Sequence, residues 1–277
     1  TDVAPLAISA SSGQTREATF SETQPKFTLK YQPLDALNVF AIWSRGFRSG
    51  GFNEHGVSQA AGSAGISGIS ERYDKEVSDN IELGFKSSFG DRRLRLSGAL
   101  FSTNVDDQHY FQFIGDVNAQ LINNIDAVSL WGAEIELHYR AAAGLDVYAA
   151  YGYIDSGIES YTVAPMDEGN RSPYVAQDTI NLGGQYIFGL GSRVDGLLRV
   201  DLERRGEQYW DTANSSSRAP LELLNIRAGL QAPSGRWSVI AWARNLTDED
   251  YNAEYVIGGI AQPAMPRSYG LEFSRSY

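Results

Sequence analysis

The sequence predicts an all-β fold: a transmembrane antiparallel up-and-down β-barrel with roughly 11–12 strands in this chain and spans of about 9–16 residues. Three observations carry that reading. Apolar residues recur at every second position along most of the chain, connections alternate between short and long, and the sequence stops within a strand on an aromatic residue. A membrane strand turns one set of side chains to lipid and the alternate set to a wet lumen, so period-2 alternation is its mark.

The alternation is cleanest at Trp131, Ala133, Ile135, Leu137 and Tyr139, whose partners Gly132, Glu134, Glu136, His138 and Arg140 form a small or polar face. It begins at Phe27, Leu29 and Tyr31, returns at Ile81, Leu83 and Phe85 and at Leu94 and Leu96, and continues through Leu145–Tyr151, Ile180–Tyr186, Leu198–Leu202 and Leu224–Leu230. The last strand reads Tyr269, Leu271, Phe273, Arg275 and Tyr277 at alternate positions. Tyr269, Leu271, Phe273 and Tyr277 are the candidate assembly signal, apolar toward lipid with the terminal aromatic at the interface girdle. No segment reads as a long amphipathic helix.

Gly, Pro, Asp and Ser mark tight turns at Pro33–Ala36, Gly90–Arg92, Ala142–Gly144, Gly189–Ser192 and Pro233–Gly235. Long connections are expected between them, near Gly46–Val77, Gly115–Gln120, Gly157–Tyr174, Tyr209–Pro220 and Thr247–Pro266. Counted back from Tyr277, every short turn falls on the side of the C-terminus, as periplasmic turns do. A Greek-key sandwich would not hold that parity. Residues 1–25 read as a loop or an extra strand within Asp2–Ser9. Trp237, Trp242 and Tyr251 are expected to anchor at the interfaces.

Composition excludes several classes. A mean hydropathy of −0.30 and the lack of any run of 18 apolar residues exclude membrane-spanning helices, a test to which a barrel is blind. A net charge of −11 supplies no basic stripe for nucleic acid. With no cysteine there is neither a disulfide scaffold nor a thiolate metal site. His55, His109 and His138 lack metal-ligand spacing, and His138 reads as a lumen histidine ahead of a hydrolase base. Asp106–Asp107, Asp167–Glu168 and Asp248–Glu249–Asp250 read as solvated loop charge. The sequence begins without a Met-initiated leader, so the leader has been processed or the chain is part of a longer precursor.

Four segments in order, Trp43–Asn53, Tyr73–Lys86, Asn245–Tyr251 and Pro266–Phe273, resemble the C-terminal part of TonB-dependent outer-membrane receptors. The resemblance spans almost the whole chain. It implies active transport of a ferric siderophore or similar solute, no enzymatic activity and no cofactor. The implied partners are outer-membrane lipid, a plug domain and TonB. Residues 1–277 would then be the C-terminal barrel portion of a 22-stranded receptor, a fragment or a truncated member, because no plug sequence is visible. The alternative is a smaller closed barrel acting as a passive pore without TonB coupling. Arg275 departs from the family, which carries an aromatic or apolar residue there. By resemblance the alternate-face charges, among them Glu82, Lys86, Arg95, Arg199, Asp201 and Arg227, touch the plug. The candidate ligand-facing residues are the upper-rim aromatics Tyr110, Phe111, Phe113, Tyr209 and Trp210, with Arg45 and Arg48 for an anionic siderophore.

Overall fold

The computed structural model describes residues 2–3, 7–8, 15–256, 258 and 260–276. Its main body is one sheet of 11 strands in sequence order, each antiparallel to the next. They are β1 (Lys26–Leu34), β2 (Leu37–Arg48), β3 (Glu76–Phe89), β4 (Leu94–Ile114), β5 (Ala119–Ala142), β6 (Leu145–Ser160), β7 (Asp178–Gly189), β8 (Asp195–Arg205), β9 (Leu221–Gln231), β10 (Trp237–Arg244) and β11 (Ser268–Arg275). All five tight turns fall where Gly, Pro and Asp predicted them, at one end of the sheet. At Gly144 the backbone turns at φ 76°, and a Cβ there would collide with the Ile187 carbonyl, so only glycine closes that turn without strain.

The pairing register keeps each predicted apolar row on one face. Leu29, Ala41, Leu83, Leu100 and Ala133 stand opposite one another across β1 to β5. Tyr186, Leu198, Ala228, Ala241 and Leu271 do the same across β7 to β11. These side chains cover nothing: Leu29 is 72% exposed, Leu100 61% and Leu271 79%. In water such a continuous apolar surface would far exceed the patches that soluble monomers carry, whereas lipid satisfies it. Aromatic rings border the face at both ends, with Phe27 stacked on Trp43 toward the outer rim and Tyr186 on Phe188 toward the turns. The opposite face is polar, as in the row Asn38, Lys86, Ser97 and Glu136. Aromatics on that face lie over glycines, Tyr148 on Gly183 and Trp242 on Gly270, filling space that a side chain would take.

Several expectations change in detail. β4 and β5 run for 21 and 24 residues, beyond the expected spans, because the hairpin continues as a ribbon above the membrane. The connection expected to be long at Gly115–Gln120 is therefore a single 3₁₀ turn at Gly115–Val117. Asp2–Val3 and Ala7–Ile8, the described parts of the proposed extra strand, make two-residue bridges with Thr19–Phe20 and Thr15–Arg16, and neither joins the main sheet. Trp242 lies on the polar face rather than at an interface, since it pairs with Gly270 between the outward Tyr269 and Leu271. Tyr277 lies outside the described residues.

Among the described residues β1 and β11 do not pair with each other, so the sheet is open and these two strands are its edges. Every residue of β1 is exposed. The buried apolar clusters lie elsewhere, in the layer of outer connections: one joins Val57, Ala61 and Ile69 to Ile114 and Leu121, another joins Val105, Tyr110 and Ile125 to Val128, Ile158 and Tyr161. The molecule is thus inverted relative to a soluble sheet, with apolar residues outward along the strands and packed inward only above them.

Candidate ligand site at the outer rim

The outer connections are tied together as a cap. A short helix, α1 (Val57–Ser63), lays Val57 and Ala61 against the β4–β5 hairpin. Asn53 fastens this connection to β5: its Nδ2 donates to the Ser70 and Ile122 carbonyls (2.9 and 2.8 Å), and its Oδ1 accepts from the Ile122 N–H (2.7 Å). The connections after β6 and β8 are tied by the Thr212 hydroxyl donating to buried Asp167 (2.6 Å) and by the Asn170 amide donating to the Thr212 carbonyl (2.9 Å). Asp211 accepts from the backbone N–H groups of Ser215 and Ser216 (3.0 and 3.1 Å). In the connection after β10, Asn245 and Asp248 take left-handed backbone angles. They cap freed backbone, Asn245 accepting from Glu249 N–H (2.8 Å) and Asp248 from Arg267 N–H (3.0 Å). That connection is held to the rest by the Tyr174 hydroxyl donating to the Tyr255 carbonyl (3.2 Å).

These elements border an open cavity of about 550 Å³ lined by Tyr110, Phe111 and Phe113 of β4, Asp116 of the hairpin tip, Tyr174, Trp210–Ala213, and Val256 with Gly258. Its size falls in the usual range of small-molecule sites. Trp210 is its anchor, 3% exposed, with its ring centroid 5.6 Å from Tyr174 and 6.5 Å from Tyr255 in edge-on contacts. Burial first, then the neighbouring phenols and Asp211, pushes the Tyr110 phenol well above its ordinary range. Tyr174 is raised too, by burial and then by Glu254 and Asp211. Both keep their protons at physiological pH and act as neutral walls and hydrogen-bond donors.

Of the sequence candidates, Tyr110, Phe111, Phe113 and Trp210 converge on this cavity. Tyr209 does not line it: it sits in a two-residue bridge with Ser217 and offers its carbonyl to Tyr174 N–H (2.8 Å). Arg45 and Arg48 lie apart from it. Arg45 shares the strand face of Trp43 and is held by Asp79 (2.7 Å) and Glu22 (3.3 Å). Arg48 faces Glu76 at 3.5 Å. Tyr174, Asp211 and Val256 had no signal in the sequence, because each reaches the cavity from a separate connection.

Below the cap, the polar face carries an ion-pair field. Arg199 forks onto Asp201 through Nε and Nη2, both at 2.9 Å, and the Tyr148 hydroxyl bonds the same carboxylate. Arg227 meets Glu272 at 2.8 Å, and Arg244 lies over the Trp242 ring at 5.3 Å. These groups surround a second space of about 470 Å³.

An antiparallel meander with a lipid-compatible face, a charged face and a cap of connections at one end defines a wall of an outer-membrane β-barrel. The family model described as TonB dependent receptor-like, beta-barrel matches residues 5–246, and the chain belongs to that family. Its members reside in the Gram-negative outer membrane, which places this chain there, and they are transport receptors rather than enzymes. Solved structures share the fold. The ferric yersiniabactin uptake receptor FyuA from Yersinia pestis is 20% identical with a TM-score of 0.76, over 94% of this chain and 38% of that one. The siderophore receptor PiuA from Acinetobacter baumannii is 18% identical with a TM-score of 0.73, over 97% of this chain and 38% of its own. BauA, the ferric preacinetobactin receptor from Acinetobacter baumannii, is 18% identical with a TM-score of 0.69, over 92% of this chain and 36% of its own. The chain thus spans less than two-fifths of the length of these receptors.

Proposed function

We propose that the chain is the C-terminal barrel wall of a receptor that takes up a scarce nutrient, such as a ferric chelate, across the outer membrane. The observation that carries this reading is the open aromatic cavity that separate outer connections form at the rim of a sheet whose one face is polar and ion-paired. A solute is gathered at the rim, and the polar face below borders a plug that TonB displaces. The exposed edges β1 and β11 pair with further strands of the same receptor, because each unpaired backbone group in lipid costs several kcal/mol. In this arrangement the charged groups of the polar face contact the plug while remaining paired among themselves.

The reading is tested by uptake of radiolabelled iron chelates in cells that depend on this receptor. Uptake is expected to require TonB. Phe111→Ala should weaken solute binding about tenfold, roughly 1.4 kcal/mol for one lost ring contact, with an unchanged amount of receptor in the membrane. Full uptake without TonB would instead support a passive pore.

A further inference from the structure

The charge of the rim cavity narrows what can enter it. Its walls are aromatic on several sides, and the ionisable groups among its lining residues are the carboxylates Asp116 and Asp211 and the tyrosine phenols. No lysine, arginine or histidine lines it among the described residues. Arg45, held by Asp79 and Glu22, and Arg48, facing Glu76 at 3.5 Å, are not among its lining residues. An anion placed here would exchange water for ring faces, whose negative quadrupole repels it, and for the field of nearby carboxylates. A positive group would gain from both.

We propose that the solute of this cavity is an aromatic chelate with no net negative charge, of the hydroxamate rather than the catecholate kind; this rests on reading the cavity as the receptor's solute site. The distinction is ordinary iron chemistry. Three singly charged hydroxamates neutralise ferric iron, whereas three doubly charged catecholates leave a trianion. A neutral chelate carrying aryl groups can stack on Phe111, which is 39% exposed, without bringing charge into the cavity. A cationic substituent would bind more tightly still.

The test uses one chelate scaffold in three charge states, with the receptor isolated from outer membranes in detergent. The probes are tris(benzohydroxamato)iron(III), its ring-trimethylammonium derivative and its ring-sulfonate derivative, with binding read as retained radiolabelled iron. At low salt the neutral and cationic complexes should bind at least tenfold more tightly than the sulfonate. The gap should shrink as salt screens the carboxylates. Ala213→Lys, which adds a cation to the lining, should narrow the gap between the neutral complex and the sulfonate several-fold. Equal or tighter binding of the sulfonate by the unaltered protein would overturn the charge inference and leave the site standing. If none of the three complexes binds, the cavity is not the solute site and both readings fall.

Discussion

Replacing Ile135 by arginine tests the face assignment at its most sensitive point. Ile135 lies midway between Trp131 and Tyr139, which mark the outer and inner aromatic rims on β5. Four residues at about 3.4 Å each, tilted by about 40°, put it roughly 10 Å from either rim, near the centre of an apolar band about 25 Å tall. It is 46% exposed on the outward face, beside Gly98 and Tyr151, so the guanidinium would enter lipid with no partner in reach. The expected cost is about 2–4 kcal/mol at that depth. The next residue, Glu136, is on the polar face, and Glu136→Arg should cost less than about 1 kcal/mol because the new cation stays wet. Tyr139→Arg, at the rim, should lie between them. Urea unfolding of the receptor in lipid vesicles, followed by tryptophan fluorescence, gives all three. Equal losses for Ile135→Arg and Glu136→Arg would refute the assignment of lipid and lumen faces.

Further outcomes follow from single contacts. The Tyr148 ring rests on Gly183, where a Cβ would overlap it, so Gly183→Val should destabilise the folded receptor by about 1–3 kcal/mol in the same unfolding assay. Glu71 ties down the connection after β2: its carboxylate accepts from Gly56 N–H (2.7 Å) and faces His55 and Arg16. The Gly56 bond chiefly, then His55 and Arg16, holds its pKa below the ordinary 4.5, against a smaller opposing effect of burial. Its contribution is therefore fully present above pH 4.5 and is lost as pH falls through the lower folded value. Proteolytic cleavage between residues 54 and 71 should rise over that acidic window, and Glu71→Gln should show the raised cleavage at neutral pH as well.

What the sequence revealed, and what it concealed, follows from the range of each interaction. Residues 131–140 announce both faces of β5 because alternation is a property of neighbours, and Gly144 announces its turn because one backbone angle demands it. The reach of the β4–β5 hairpin is not legible locally because Asn104, Asp106, Asp107, Gln108, Asp116 and Asn118 are polar, and a ribbon above the membrane needs no lipid-facing pattern to continue. Trp242 was misplaced because its own strand is short; its orientation is fixed by the register with Tyr269, Gly270 and Leu271. Parity alone puts Arg45 on the outward face, two residues beyond Trp43. The cavity had no local signal beyond its aromatics. Its walls come from β4, the connection after β6, the connection after β8 and the one after β10, and only tertiary packing brings Tyr174 and Asp211 to Phe111.

The alternation of faces on β5 is the claim on which membrane placement, polar lumen and rim cavity all depend, and it can be read one position at a time in a receptor whose only cysteine is the introduced one. Single cysteines at residues 132–138, spin-labelled in the receptor embedded in lipid vesicles, report collisions with oxygen from the membrane and with a water-soluble nickel complex from the lumen. Positions 133, 135 and 137 should be oxygen-accessible and nickel-protected, with 132, 134, 136 and 138 not oxygen-accessible. A profile without that two-residue period would contradict the account.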